Sequence, residues 1–234
     1  MSYAALCAAS FVPGLFWLWF FYKRDSLEPE PKRLLITSFF VGIGLGIPAT
    51  FLEILFNDSL LMTVLIAPVI EETLKFGGVR FTVFRHPEFD EPLDGIIYTA
   101  AVALGFASME NLFYLMAAYL NASDTSQSLE VLSPFGVVMS VFVLRALMSV
   151  PSHVLYSGFW GYALGKAKFM DRAAGRSLVL KGFLLAIFCH GLFNFFASRL
   201  PQAALAELAL VAILWAVILR KIAEGLKLSP HRAP

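Results

Sequence analysis

Seven apolar stretches, each close to the length that crosses a lipid bilayer, dominate this sequence. They cover residues 3–22, 34–56, 60–83, 95–120, 135–165, 178–198 and 203–219. A transmembrane helix needs about 20 apolar residues, and a chain in lipid must satisfy its backbone hydrogen bonds internally. With 59% hydrophobic and 15% charged residues, residues 1–234 are predicted to form a single integral-membrane domain. We expect an all-α, polytopic transmembrane helix bundle of about seven spans.

Basic residues in the connections predict how the bundle is oriented. Lysines and arginines follow the first, third, fifth and seventh stretches, whereas residues 121–134 contain none. Because cytoplasmic connections carry the lysine and arginine excess, we expect the N-terminus outside and the C-terminus in the cytoplasm. The long fifth stretch contains Pro151, so we expect it to tilt or break. With a net charge of +1 and no basic face, the chain is expected to partner the lipid bilayer and not nucleic acid.

The third stretch carries Glu71, Glu72 and Lys75 inside a run otherwise suited to lipid. A charge at membrane depth costs a few kcal/mol or more, so such residues usually face a protein interior and have a function there. Adjacent helical side chains diverge by about 100°, so one carboxylate is expected to act while the other supports it. The structural alternative is an ion pair between Lys75 and Glu71, one helical turn apart.

Three further polar residues lie near the same predicted depth, and a fourth lies one helical turn from one of them. Glu110, His153 and His190 each fall in another apolar stretch, and Asn194 follows His190 by four residues on the same helix face. A buried glutamate can activate water as a general base, and a histidine can orient the water or donate a proton. Asn194 could hold the imidazole or stabilise an oxyanion. The alternative is that these residues only form hydrogen bonds between helices.

Glu110, His153 and His190 also form a two-histidine, one-carboxylate set that suits zinc, with Glu71 or Glu72 as the base. The three come from different stretches and lack a motif such as His-Glu-x-x-His. Both a zinc site and a metal-free site therefore stay open.

Other polar residues and the glycines are given structural roles. Arg145 is expected to neutralise an excess carboxylate, and Glu53 to reach towards the membrane interface. The glycines at 42, 44, 46, 161 and 165 are expected to let helices approach closely.

Two other function classes fit the same residues. Carboxylates and histidines at the membrane midplane also form proton relays, which allows a proton- or ion-coupled transporter, although no repeated halves are visible. A non-enzymatic membrane scaffold, in which the polar residues only hold helices together, is the third.

Five ordered motifs resemble one known family. They are Glu71-Glu72-Thr73-Leu74-Lys75, the run from Phe89 to Tyr98, the run from Gly105 to Asn111, Pro151-Ser152-His153, and His190-Gly191-Leu192-Phe193-Asn194. Together they resemble the PrsW family of bacterial intramembrane proteases, which is related to the CAAX-processing and bacteriocin-processing membrane proteases. The motif-bearing core spans residues 60–198.

The resemblance implies an activity and its residues. Glu71 and Glu72 would be the catalytic pair and His190 a catalytic histidine with Asn194 beside it, while His153 and Glu110 match positions shared by the family. The implied reaction is hydrolysis of a peptide bond in a membrane-anchored protein such as an anti-sigma factor, in a bacterial inner membrane. The family has been grouped with metallopeptidases and its CAAX relatives with glutamate-dependent proteases, so the resemblance also leaves the metal open.

Overall fold

A computed structural model describes residues 2–54, 59–124 and 133–232, and within these ranges the chain is helical without a β-strand. The predicted all-α fold is therefore confirmed. The eight α-helices described are α1 Tyr3–Tyr22, α2 Lys32–Ile54, α3 Ala67–Thr82, α4 Asp94–Asp124, α5 Pro134–Leu144, α6 Val150–Ala167, α7 Arg172–Ala197 and α8 Ala204–Leu228. Two π-helical turns, Met62–Ile66 and Arg145–Ser149, run directly into α3 and α6.

Five described helical segments are long and apolar enough to cross a membrane, namely residues 3–22, 32–53, 94–121, 135–167 and 172–197. The predicted stretches 60–83 and 203–219 correspond to α3 and α8, which carry more charged residues. A count of seven spans and the orientation of the termini thus stay predictions. Residues 57, 58 and 125–132, which belong to the two predicted outer connections, lie outside the described residues.

Helix α4 forms the centre of the bundle. Of its apolar window 78% is buried inside the protein, against 33% or less for the other four segments. A side chain at Gly105 would collide with the carbonyl of Phe39 on α2, and one at Gly95 with the carbonyl of Gly161 on α6. Close helix contact through small residues is how membrane helices pack. The packing roles predicted for residues 42, 46, 161 and 165 are confirmed, whereas a Cβ at Gly44 would meet no atom within 4 Å.

The long fifth stretch, which was expected to tilt or break at Pro151, stays helical from Pro134 to Ala167 and contains the π-turn before α6. In both π-turns the backbone N–H bonds five residues back, from Ala67 to Met62 and from Val150 to Arg145. The next residue is a proline in each case, Pro68 or Pro151. Proline has no N–H and cannot continue this hydrogen-bond pattern. The carbonyl oxygen five residues before each proline, Thr63 O or Ala146 O, therefore lacks a backbone donor.

Side chains from two other helices satisfy these carbonyls. Asn194 Nδ2 on α7 donates to Thr63 O at 3.0 Å, and Trp17 Nε1 on α1 donates to Ala146 O at 2.9 Å. Backbone groups freed at membrane depth need such partners. Helices α7 and α1 therefore stabilise the turns from which α3 and α6 begin.

Candidate active site

A fully buried ammonium group lies at the centre of the polar cluster. Lys75 Nζ lies 3.0 Å from Glu71 Oε2, 2.9 Å from Glu72 Oε1 and 3.0 Å from His153 Nδ1. The ion pair with Glu71 considered from the sequence is thus confirmed, and it extends to two more residues. An ammonium has three N–H groups and no acceptor, so these three contacts use its full capacity.

Glu72 is held on all sides by donors. Its Oε2 accepts hydrogen bonds from Ser157 Oγ at 2.7 Å and Trp160 Nε1 at 2.8 Å, and its side chain has no exposed surface. Neither of these donors was predicted from the sequence. The signal was present, because Ser157 and Trp160 follow His153 by four and seven residues and therefore lie on its helix face.

His190 connects the two adjacent glutamates. Its Nδ1 lies 3.1 Å from Glu72 Oε1 and its Nε2 lies 3.8 Å from Glu71 Oε1. The imidazole stacks on the ring of Tyr156 at 4.1 Å between centroids and an angle of 12°. With Nδ1–H directed at Glu72, Nε2 is left as an acceptor beside Glu71, and a separation of 3.8 Å suits a bridging water.

Glu110 forms the second half of the cluster. Arg145 Nη2 lies 3.4 Å from Glu110 Oε1, which confirms the neutralising role predicted for Arg145. His153 Nε2 lies 3.0 Å from Glu110 Oε2. The pair is not aligned for a hydrogen bond, however, and this buried oxygen has no donor among the described residues.

These side chains border a cavity of about 970 Å³. Glu71, Glu110, His153, His190 and Asn194 line it, whereas Glu72 and Lys75 do not. Glu53 also lines it, so the expectation that this residue reaches towards the membrane interface and stays apart from the site is wrong. The cavity therefore distinguishes Glu71, which faces open space, from Glu72, which is enclosed by protein.

The donor set is also suitable for a metal ion. One ligand atom each from Glu71, Glu110 and His153 lies within 4.8 Å of the other two. Carboxylate and imidazole are ordinary zinc ligands, and the oxygen of Glu110 that lacks a hydrogen-bond donor is free to bind one. This set contains Glu71 where the sequence predicted His190, and the imidazole of His190 instead contacts Glu72 and stacks on Tyr156.

Buried carboxylates and imidazoles that line a cavity within an all-α membrane bundle define an intramembrane enzyme with a carboxylate–histidine centre. A family model described as "PrsW family intramembrane metalloprotease" matches residues 30–220. The chain therefore belongs to the PrsW family of intramembrane proteases.

Individual relatives agree with this assignment. Protease PrsW of Geobacillus kaustophilus is 33% identical over 227 residues, which cover 94% of this chain and 92% of that protein. Protease PrsW of Bacillus subtilis is 31% identical over 224 residues, covering 93% and 94%. No solved structure matches the chain. The resemblance stated from the motifs is confirmed, and the chain is a bacterial integral membrane protease and not a transporter or scaffold.

Proposed function

We propose that this protease is an endopeptidase that hydrolyses a peptide bond in a membrane-anchored protein, such as an anti-sigma factor, with Glu71 as the general base. The observation that supports this most directly is that Glu71 alone of the adjacent pair lines the cavity. Its Oε2 is held by Lys75 at 3.0 Å, which leaves Oε1 beside His190 Nε2 to accept a proton from water.

The remaining residues complete the reaction. Three carboxylates, those of Glu71, Glu72 and Glu110, face the two cations Lys75 and Arg145, so one negative charge is in excess when the imidazoles are neutral. The proton taken from water can therefore stay within the cluster. It passes between Glu71 and His190, which then protonates the amine that leaves.

Glu72 and Asn194 act through other groups. Glu72 orients His190 through the contact at 3.1 Å. Asn194 holds the π-turn before α3 through Thr63 O and is not needed as an oxyanion donor. Zinc held by Glu110 and His153, beside Glu71 as the base, would polarise the substrate carbonyl and make a water more acidic.

Cleavage of a single-span reporter by protein reconstituted in vesicles tests the assignment. Glu71→Gln keeps the size of the side chain and removes the base, so we expect cleavage to fall by about 100-fold or more with folding retained. Glu224→Gln removes an exposed carboxylate on α8 that pairs with Lys166 and should cleave normally. Cleavage by Glu71→Gln at the wild-type rate would overturn the proposal.

A further inference from the structure

A second cavity, of about 810 Å³, lies between the C-terminal ends of α3 and α6 and the first half of α7. It has no lining residue in common with the catalytic cavity. Four cations line it, Arg80, Lys168, Arg172 and Arg176, and no carboxylate does. Such a pocket attracts an anion, and none of the proposed chemistry uses it.

Most of this positive charge is uncompensated. Among the described residues none of the four cations forms an ion pair, and Arg80 Nη1 is buried without a hydrogen-bond partner. Lys168 Nζ is directed to the carbonyl oxygens of Phe84 and Phe89, and Arg176 Nε donates to Arg172 O at 3.2 Å. The guanidinium groups of Arg80, Arg172 and Arg176 keep donors for a ligand with several acceptor oxygens.

The lining changes from cationic to apolar along the helices. On α7, Arg172 and Arg176 precede Val179, Leu180 and Phe183, so at 1.5 Å per residue the apolar part begins about 5 Å further along the axis. Leu180 is 58% exposed at the outer surface of the bundle. The cationic end is also the end at which the lysine and arginine excess predicts the cytoplasmic surface.

We propose that this cavity binds an anionic phospholipid of the cytoplasmic leaflet. The phosphate would contact Arg80 and Arg176, and an acyl chain would lie against Leu180 and Phe183. Basic pockets between transmembrane helices bind anionic headgroups in this way. An acidic peptide would leave the apolar part of the cavity unfilled, which is why a lipid is the better match.

Native mass spectrometry of the full chain, with phosphatidylglycerol or phosphatidylcholine added in detergent, tests the site. We expect one phosphatidylglycerol to bind at least about tenfold more tightly than phosphatidylcholine. The double variant Arg80→Gln/Arg176→Gln should lose most of that preference, because each cation near a lipid surface contributes about fivefold. Arg220→Gln/Lys227→Gln, which removes two exposed charges on α8 outside the cavity, should keep it.

Two further measurements separate a lipid from other occupants. Leu180→Trp would fill the apolar part and leave the cations in place, so it should weaken phosphatidylglycerol binding even if the double variant fails to fold. The second measurement compares how far phosphatidylglycerol and inorganic phosphate protect the wild type from thermal unfolding. Equal protection by the two would show a site for free anions and overturn the proposal. An unchanged preference for phosphatidylglycerol in the double variant would do the same.

Discussion

At the scale of single residues, two adjacent glutamates receive different roles from their neighbours. Glu72 contacts Lys75, Ser157, Trp160 and His190, and all of its surface is buried. Glu71 contacts Lys75 and faces the cavity. A carboxylate whose lone pairs are already filled cannot readily take a proton from water, whereas one that faces open space can. The divergence of adjacent side chains on α3 therefore leaves Glu71, the proposed base, facing the cavity and encloses Glu72 in protein.

The carboxyl group of Asp25, in the connection between α1 and α2, makes the free energy of unfolding depend on pH. Its side chain is 2% exposed, and burial together with the charges of Glu91 and Asp94 raises its pKa from 3.8 to about 7. The folded protein therefore keeps a proton that the unfolded chain has released above about pH 4. The stability contributed by this group therefore falls as the pH rises from about 4 to about 7, and the loss is complete above that range.

The variant Asp25→Asn should remove this loss of stability at high pH, because the amide has no proton to release. At about 1.4 kcal/mol per tenfold change in proton affinity, we expect it to raise the free energy of unfolding at pH 8 by about 1–4 kcal/mol. The gain should be smaller at pH 5, where the wild-type carboxyl is already protonated in the folded protein. Unfolding followed in detergent at both pH values checks this, and an equal gain at the two values would contradict it.

At the scale of helices, a proline follows each π-turn two residues after its end, and a side chain of the polar cluster comes shortly after that proline. Glu71 follows Pro68 by three residues and His153 follows Pro151 by two. Such turns widen the backbone locally and are frequent at functional sites. Asn194 and Trp17 satisfy the carbonyls that the prolines leave without a partner, so the direction of α3 and α6 depends on contacts made by α7 and α1.

Substitution of Asn194 distinguishes positioning from oxyanion stabilisation. Asn194→Ala leaves Thr63 O without a donor, which should cost about 1–3 kcal/mol of stability and lower cleavage about tenfold as Glu71 moves. An oxyanion donor would instead lower kcat by about 100-fold or more in a protein of unchanged stability.

Trp17→Phe is the matched control, because it removes the equivalent hydrogen bond from the other π-turn. Measurements of stability and of single-turnover cleavage on both variants show whether Asn194 positions the π-turn or stabilises an oxyanion. A large loss of kcat in Asn194→Ala with wild-type stability would contradict the positioning role.

At the scale of the whole molecule, the buried helix α4 holds the surrounding helices in contact and brings Glu110 to the cluster on α3, α6 and α7. The described part of the chain contains two groups of residues that could hold a metal ion. One is Glu71, Glu110 and His153, and the other is the partly exposed set Glu28, Asp90 and His231 at the far end of the molecule.

Metal removal is the test at this scale. We expect the purified protease to carry about one zinc per chain. Cleavage should fall on chelation and return with added zinc, because Glu110 offers an oxygen without a hydrogen-bond donor. His231→Ala removes the exposed set, so zinc that remains in this variant belongs to the buried one. Mass spectrometric metal analysis beside the cleavage assay measures both, and chelator-resistant cleavage by metal-free protein would contradict a metal-dependent reaction.

The sequence by itself determined the membrane class, the helical fold and most of the cluster, because apolar stretches of bilayer length and charges within them leave few alternatives. It could not show that Glu72 is enclosed, that Glu53 lines the cavity or that Asn194 holds a π-turn. Those facts depend on which helices are neighbours and how they are rotated, and each apolar stretch offers several faces of similar hydrophobicity. Only the tertiary packing around α4 decided which polar side chains face a cavity and which are covered by protein.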